Sequence, residues 1–167
     1  MPRLIRLWLA LSLFALEANA QDPAARLARD SEPVEMSAEG RLRVDLKNHR
    51  GTAEKNVVIR RRDVIVCCDR AEATYDGDRI QRVECRGRVV IARPDGTRAR
   101  ADVAVFEASE DKLTLKGKAR VRAPSADLEG DTITYDVRED QLEVTGGPSR
   151  FRFKPKDTFV DERPCPP

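Results

Sequence analysis

One histidine, two tyrosines and one tryptophan are all that 167 residues hold of those three types. The single histidine, His49, lies in a polar stretch (KNHRG) with nothing resembling a nucleophile elbow near it. No H-E-x-x-H, C-x-x-C or glycine-rich phosphate loop occurs, and Cys67-Cys68 is adjacent instead of spaced for metal or redox work. These absences leave no catalytic constellation, no metal set and no implied cofactor, so the chain reads as a non-enzyme. An excess of one charge is also missing. Thirty-one basic side chains face 29 acidic ones, a net +2. No strong cationic field exists to displace counterions, which argues against nucleic acid as a partner.

Long apolar runs are missing too, except at the start. Arg3 and Arg6 precede an apolar run from Leu7 to Leu16, and Ala18-Asn19-Ala20 supplies a small-x-small cleavage pattern before Gln21. This is the layout of a secretory signal peptide, expected over 1–20. The run is too short to span a bilayer. Cleavage also removes Arg3, Arg6 and Glu17, which takes the net charge from +2 to +1. The expected product is an exported periplasmic protein whose cysteines can oxidise. Residues 21–37, charged and with two prolines, read as a flexible lead-in, and 154–167 as a proline-rich tail. The folded part is expected over 38–153.

What fills that part is two-fold alternation. In LTLKGKARV, Leu113, Leu115, Gly117, Ala119 and Val121 alternate with mostly polar residues. Turn residues interrupt such runs at Asp76-Gly77, Pro94-Asp95-Gly96 and Gly146-Gly147-Pro148. No sustained helical stripe appears, so the fold class is all-β. The segments also repeat. VECRG (83–87), LTLKG (113–117) and LEVTG (142–146) align, with Tyr75, Phe106 and Tyr135 ahead of them. Asn56-Val57-Val58-Ile59 mirrors Arg88-Val89-Val90-Ile91 as an earlier copy. About four repeats of roughly 30 residues imply stacked units that bury their apolar faces on one another.

Three inward columns follow: Val83, Leu113 and Leu142; Cys85, Leu115 and Val144; Tyr75, Phe106 and Tyr135. The same alternation turns Val57, Ile59, Val89, Ile91, Val121 and Ile133 inward, with small Ala71, Ala73, Ala104 and Ala119 between them. The column glycines suit bulges or bends in the strands. Between two such walls the interior is either a packed core or a partly open apolar groove, and the pattern alone allows both.

The cysteines cluster around one turn. With Asp76-Gly77 as the tip of a two-residue hairpin, Cys68 stands opposite Cys85, within the Cα separation a disulfide needs. A Cys68–Cys85 bridge is therefore expected, worth about 3 kcal/mol in the chain-entropy account. A bulge near Gln81 or Arg82 would shift that pairing. Cys67 points to the other face, and its only remaining mate is Cys165.

The segments LEGDTITYDVREDQLEVTGG (128–147), ADVAVFEASEDKLTLKGKARV and CDRAEATYDGDRIQRVECRGRVVI together resemble the LptA/OstA family of periplasmic lipopolysaccharide transport. The resemblance covers about 40–153. It implies a twisted open β-jellyroll whose apolar groove holds lipid A acyl chains, lined here by the inward residues named above. It also implies end-to-end docking, by strand addition, with similar β-jellyroll domains of inner- and outer-membrane transport subunits, or with further copies in a head-to-tail homo-oligomer. The docking strands would be RLRVDL, with Leu42, Val44 and Leu46, and SRFRF, with Phe151 and Phe153. Arg41, Arg43, Arg150 and Arg152 on these edges would limit wrong pairing or meet lipid phosphates. The cysteine trio and the Cys165 tail are not part of the family pattern. A second reading, a structural β-repeat assembly module with a closed dry core, fits the same alternation.

Overall fold

Alternating apolar and polar residues make strands with one buried face, and nearly all of the described chain is strand. A computed structural model describes residues 33–153 and Cys165. The signal peptide expected over 1–20 and most of the 154–167 tail lie outside the described residues. The strands are β1 (Glu35–Ser37), β2 (Leu42–Asp45), β3 (Arg50–Arg61), β4 (Val64–Asp76), β5 (Arg79–Ala92), β6 (Arg98–Glu107), β7 (Lys112–Ala123), β8 (Ala126–Asp136), β9 (Gln141–Thr145) and β10 (Arg150–Phe153). All described pairings are antiparallel, in one sheet. β1 lies within 21–37, so the lead-in stops short of it: Met36 has an apolar partner in Ile59 and is drawn onto the sheet.

Each long strand pair breaks register once near its middle: at Glu54/Val57, Cys67/Arg70, Arg86/Val89, Arg100/Val103 and Lys116/Ala119. The extra residues sit in left-handed backbone, as Lys55-Asn56, Gly87-Arg88 and Gly117-Lys118, and Gly146-Gly147 continues the series between β9 and β10. Such bulges bend a strand, and lined up they fold the whole sheet along one crease. One wall is then β1, 57–61, 64–67, 89–92, 98–101, 119–123, 126–130 and β10. The other is β2, 50–54, 70–76, 79–86, 103–107, 112–116, 132–136 and β9. The pair β1 and β2 behaves as one interrupted strand that pairs with both halves of β3, and β9 and β10 do the same on β8. The sheet is thus eight bent strands long and open at both ends. The repeat read from the sequence is one of these bulges every two strands.

An acid stands at the crease beside each left-handed pair. A Cβ on Gly117 would come 2.5 Å from Asp102 Oδ2, and one on Gly87 would collide with Asp69. Asp131 donates its backbone N–H to the Gly146 carbonyl at 3.3 Å, and Glu39 donates its own to the Lys55 carbonyl at 3.0 Å. The series Glu39, Asp69, Asp102 and Asp131 was not read from the sequence. Its signal was there, an acid on alternate strands at the same roughly 30-residue spacing as the glycines.

Candidate functional site

The space between the walls is built from cross-sheet rows. Beside the crease, one row runs Leu42, Ala53, Ala71, Cys85, Ala104, Leu115, Ile133, Val144, each paired with the next. One step further out runs Val44, Gly51, Ala73, Val83, Phe106, Leu113, Tyr135, Leu142. On the facing wall the matching row is Met36, Ile59, Val66, Ile91, Ala99, Val121, Leu128, Phe151. The columns Val83–Leu113–Leu142 and Cys85–Leu115–Val144 therefore lie in single rows, and Phe106 and Tyr135 share one. Tyr75 does not join them. A register shift between Thr74 and Tyr75 puts Ala73 in that row, and Tyr75 stands nearer the mouth, its ring stacked on His49 at 5.4 Å.

Burial falls from crease to mouth. Ala53, Val57 and Ile133 are fully buried, and Val89, Cys85 and Leu115 nearly so. With Ile59, Ile91, Ala104, Ala119 and Val121 they form one apolar cluster drawn from both walls. Val83, Phe106, Leu113 and Tyr135 are only half-buried. At the ends the rows run out into solvent: Leu42 is 49% exposed, Leu142 40%, Phe151 60% and Phe153 76%. The described residues thus make a trough, closed at its bottom, half-open along its mouth and open at both ends. Seven alanines line it (Ala53, Ala71, Ala73, Ala99, Ala101, Ala104, Ala119), so the walls approach with little bulk between them.

Leu46, expected on the same edge strand as Leu42 and Val44, lies beyond it. β2 ends at Asp45, whose carboxylate accepts the backbone N–H groups of Lys47 and Asn48 and turns the chain away, leaving Leu46 77% exposed.

The cysteines are arranged differently from expectation. The two-residue hairpin loop is Gly77-Asp78, because Asp76 pairs with Arg79, and the Thr74/Tyr75 bulge moves the register one residue further. Cys85 consequently faces Ala71, Cys68 faces Val57, and both thiols are free and buried. The disulfide joins Cys67 to Cys165, with Cα atoms 5.7 Å apart. Cys67 is on the outer face, where only the tail supplies a mate. Inside, Cys68 Sγ lies 3.2 Å from the Arg70 carbonyl. The hydrogen bond between the two thiols pushes Cys85 far above the ordinary thiol range and holds Cys68 below it.

The remaining charges lie outside or at the mouth. Tyr135 donates its hydroxyl to Asp140 Oδ1 at 2.7 Å, and that bond raises the phenol above its usual range. On the outer wall Arg82 bridges Glu84 and Glu107, and its hydrogen bond holds the Glu84 carboxyl below the usual carboxylate range.

A sheet creased along a line of bulges, lined inside by apolar rows and, among the described residues, without a further strand at either end, defines an open-ended β-jellyroll. Residues 39–141 match the family described as LptA/(LptD N-terminal domain) LPS transport protein, and the chain belongs to that family. Among solved structures it is similar to LptH, the LptA-homologous periplasmic component of the lipopolysaccharide transport device of Pseudomonas aeruginosa. The identity is 16%, the TM-score is 0.64, and the match covers 75% of this chain and 97% of that one. No curated protein matches the sequence.

Proposed function

We propose that this chain is a periplasmic lipopolysaccharide transport component that shields acyl chains between its two walls and passes them along the rows toward the outer membrane. The observation that carries this is the continuity of the apolar rows from one open end to the other, Leu42 to Val144 and Met36 to Phe151. An acyl chain exposed to water costs about 0.8 kcal/mol per CH₂, so a carrier has to cover it over its whole path. The half-buried mouth residues Val83, Phe106 and Leu113 meet the lipid first, and parting of the walls admits it toward Leu115 and Ile133. Among the described residues the end strands β1 with β2 and β9 with β10 have a sheet neighbour on one side only, and on the open side similar β-jellyroll domains or further copies add strand to strand.

Full burial at the crease supports a second reading, a structural assembly module with a dry core. Photo-crosslinking in living cells separates the two. With p-benzoylphenylalanine at Leu113 or Phe106, lipopolysaccharide adducts are expected, and none at Lys116 on the outer face. Adducts at no inner position, with normal expression and end-to-end association, would favour the dry module.

A further inference from the structure

Several arginines on the outer faces come with an acid: Arg50 with Glu72, Arg70 with Glu54, Arg88 with Asp69. Arg61 and Arg93 depart from that habit, and they do so at one place. Both stand where the first wall ends at the mouth. Arg61 closes β3, and Arg93 follows Ala92 at the end of β5. Arg61 is exposed and makes no hydrogen bond or ion pair with any described residue. Arg93 is exposed too, and its ion pair with Asp95 of its own turn is a long one, 3.7 Å.

Both side chains face inward. Ile59 and Ile91 belong to the buried cluster, and Val64, the strand partner of Arg61, packs against it. Two residues beyond Ile59 and Ile91, alternation turns Arg61 and Arg93 to the same side, above the apolar rows. The turn holds Arg93 in place: its N–H donates to the Thr97 carbonyl at 3.0 Å, and its carbonyl accepts from Gly96 at 3.2 Å. Its guanidinium reaches far enough to act on the Tyr135 phenol of the second wall. β3 and β5 flank β4, so the two cations start about 10 Å apart. The facing lip has the opposite sign. Its hairpins, 107–112 and 136–141, carry six acids against Lys112 and Arg138.

We propose that Arg61 and Arg93 seat the phosphoryl groups of a lipid whose acyl chains lie in the trough. The proposal rests on the acyl-chain reading above and gives it a polarity. The headgroup lies over the first wall, and the acids of the second lip repel it. A guanidinium grips phosphate oxygens two at a time through its planar fork. Beside apolar rows, where water is partly displaced, that attraction is stronger than on an open surface. The seat also selects, which the rows cannot do, because burying a CH₂ is worth the same on any acyl chain.

Equilibrium binding to the full exported chain tests this. One probe is lipopolysaccharide, and the other is the same lipopolysaccharide stripped of phosphate with hydrofluoric acid. The parent should bind the phosphorylated form at least about tenfold more tightly. Arg61→Gln combined with Arg93→Gln should abolish that preference and leave affinity for the stripped form unchanged. Arg79→Gln, which removes a charge from the second lip, should keep the preference. Equal affinity of the parent for both forms would overturn the seat while the acyl-chain reading stands. So would a preference that survives the double change or vanishes in Arg79→Gln. If neither form binds, the acyl-chain reading fails and the seat with it. Inorganic phosphate should not displace the phosphorylated lipid at equal concentration. Displacement would make this a site for free anions and overturn the headgroup assignment.

Discussion

At the residue scale the four cysteines are two different things. One pair is covalent and outside, the other is thiol and inside. Native protein treated with iodoacetamide should take up no label, because Cys68 and Cys85 are buried. Unfolding without reductant should give two labels, and unfolding with reductant four, all read by mass spectrometry. Glu84 carries a second residue-scale consequence. Its carboxyl is held low by Arg82, so its contribution is fully present above the ordinary carboxylate range and is lost as pH falls through the folded value. Arg82 is more than a third exposed, so screening keeps the effect under about 1 kcal/mol. Arg82→Ala should therefore lower Tm at pH 7, and the difference from the parent should shrink as pH falls through the lowered folded value of Glu84.

At the element scale the bend is the unit. Each left-handed pair is tolerated by glycine in most repeats, but the first repeat uses Lys55-Asn56. Left-handed backbone costs a Cβ-bearing residue about 1–2 kcal/mol, so Lys55→Gly should raise stability by about 1 kcal/mol in thermal melts. Gly117→Ala should lower it by about 2 kcal/mol, through the φ of +79° and the collision with Asp102. Adding Asp102→Gly should restore only the steric part. Strand identity and inward face were legible here because alternation is a local property: Leu113, Leu115, Val121 and Ile133 each carry their own signal. Pairing was less so, because it accumulates along a hairpin. Sliding the turn to Gly77-Asp78 and adding one bulge moved the partner of Cys85 from Cys68 to Ala71, and took Tyr75 out of the Phe106 row. The acids at the crease were overlooked because alternation places them among ordinary surface charges. Their role appears only once the bulges are aligned.

For the whole molecule, the apolar rows ending at exposed Leu42, Val44, Leu142 and Phe151 are the feature that interior packing leaves unexplained. If the ends dock, Phe151→Asp or Leu42→Asp should reduce end-to-end association at least tenfold by analytical ultracentrifugation, with melting temperature changed by no more than a few degrees. Unchanged association would move the joint elsewhere. The open ends also carry a consequence of parity. Eight bent strands alternate in direction, so the first and the last run opposite ways. Copies added by repeated translation and rotation then meet antiparallel at every joint, and the joint is indistinguishable in kind from the pairings within a copy. An odd count would leave both ends running the same way and force a parallel seam between copies. Gain or loss of a repeat changes the count by two, so such chains can lengthen or shorten without altering the character of their seams.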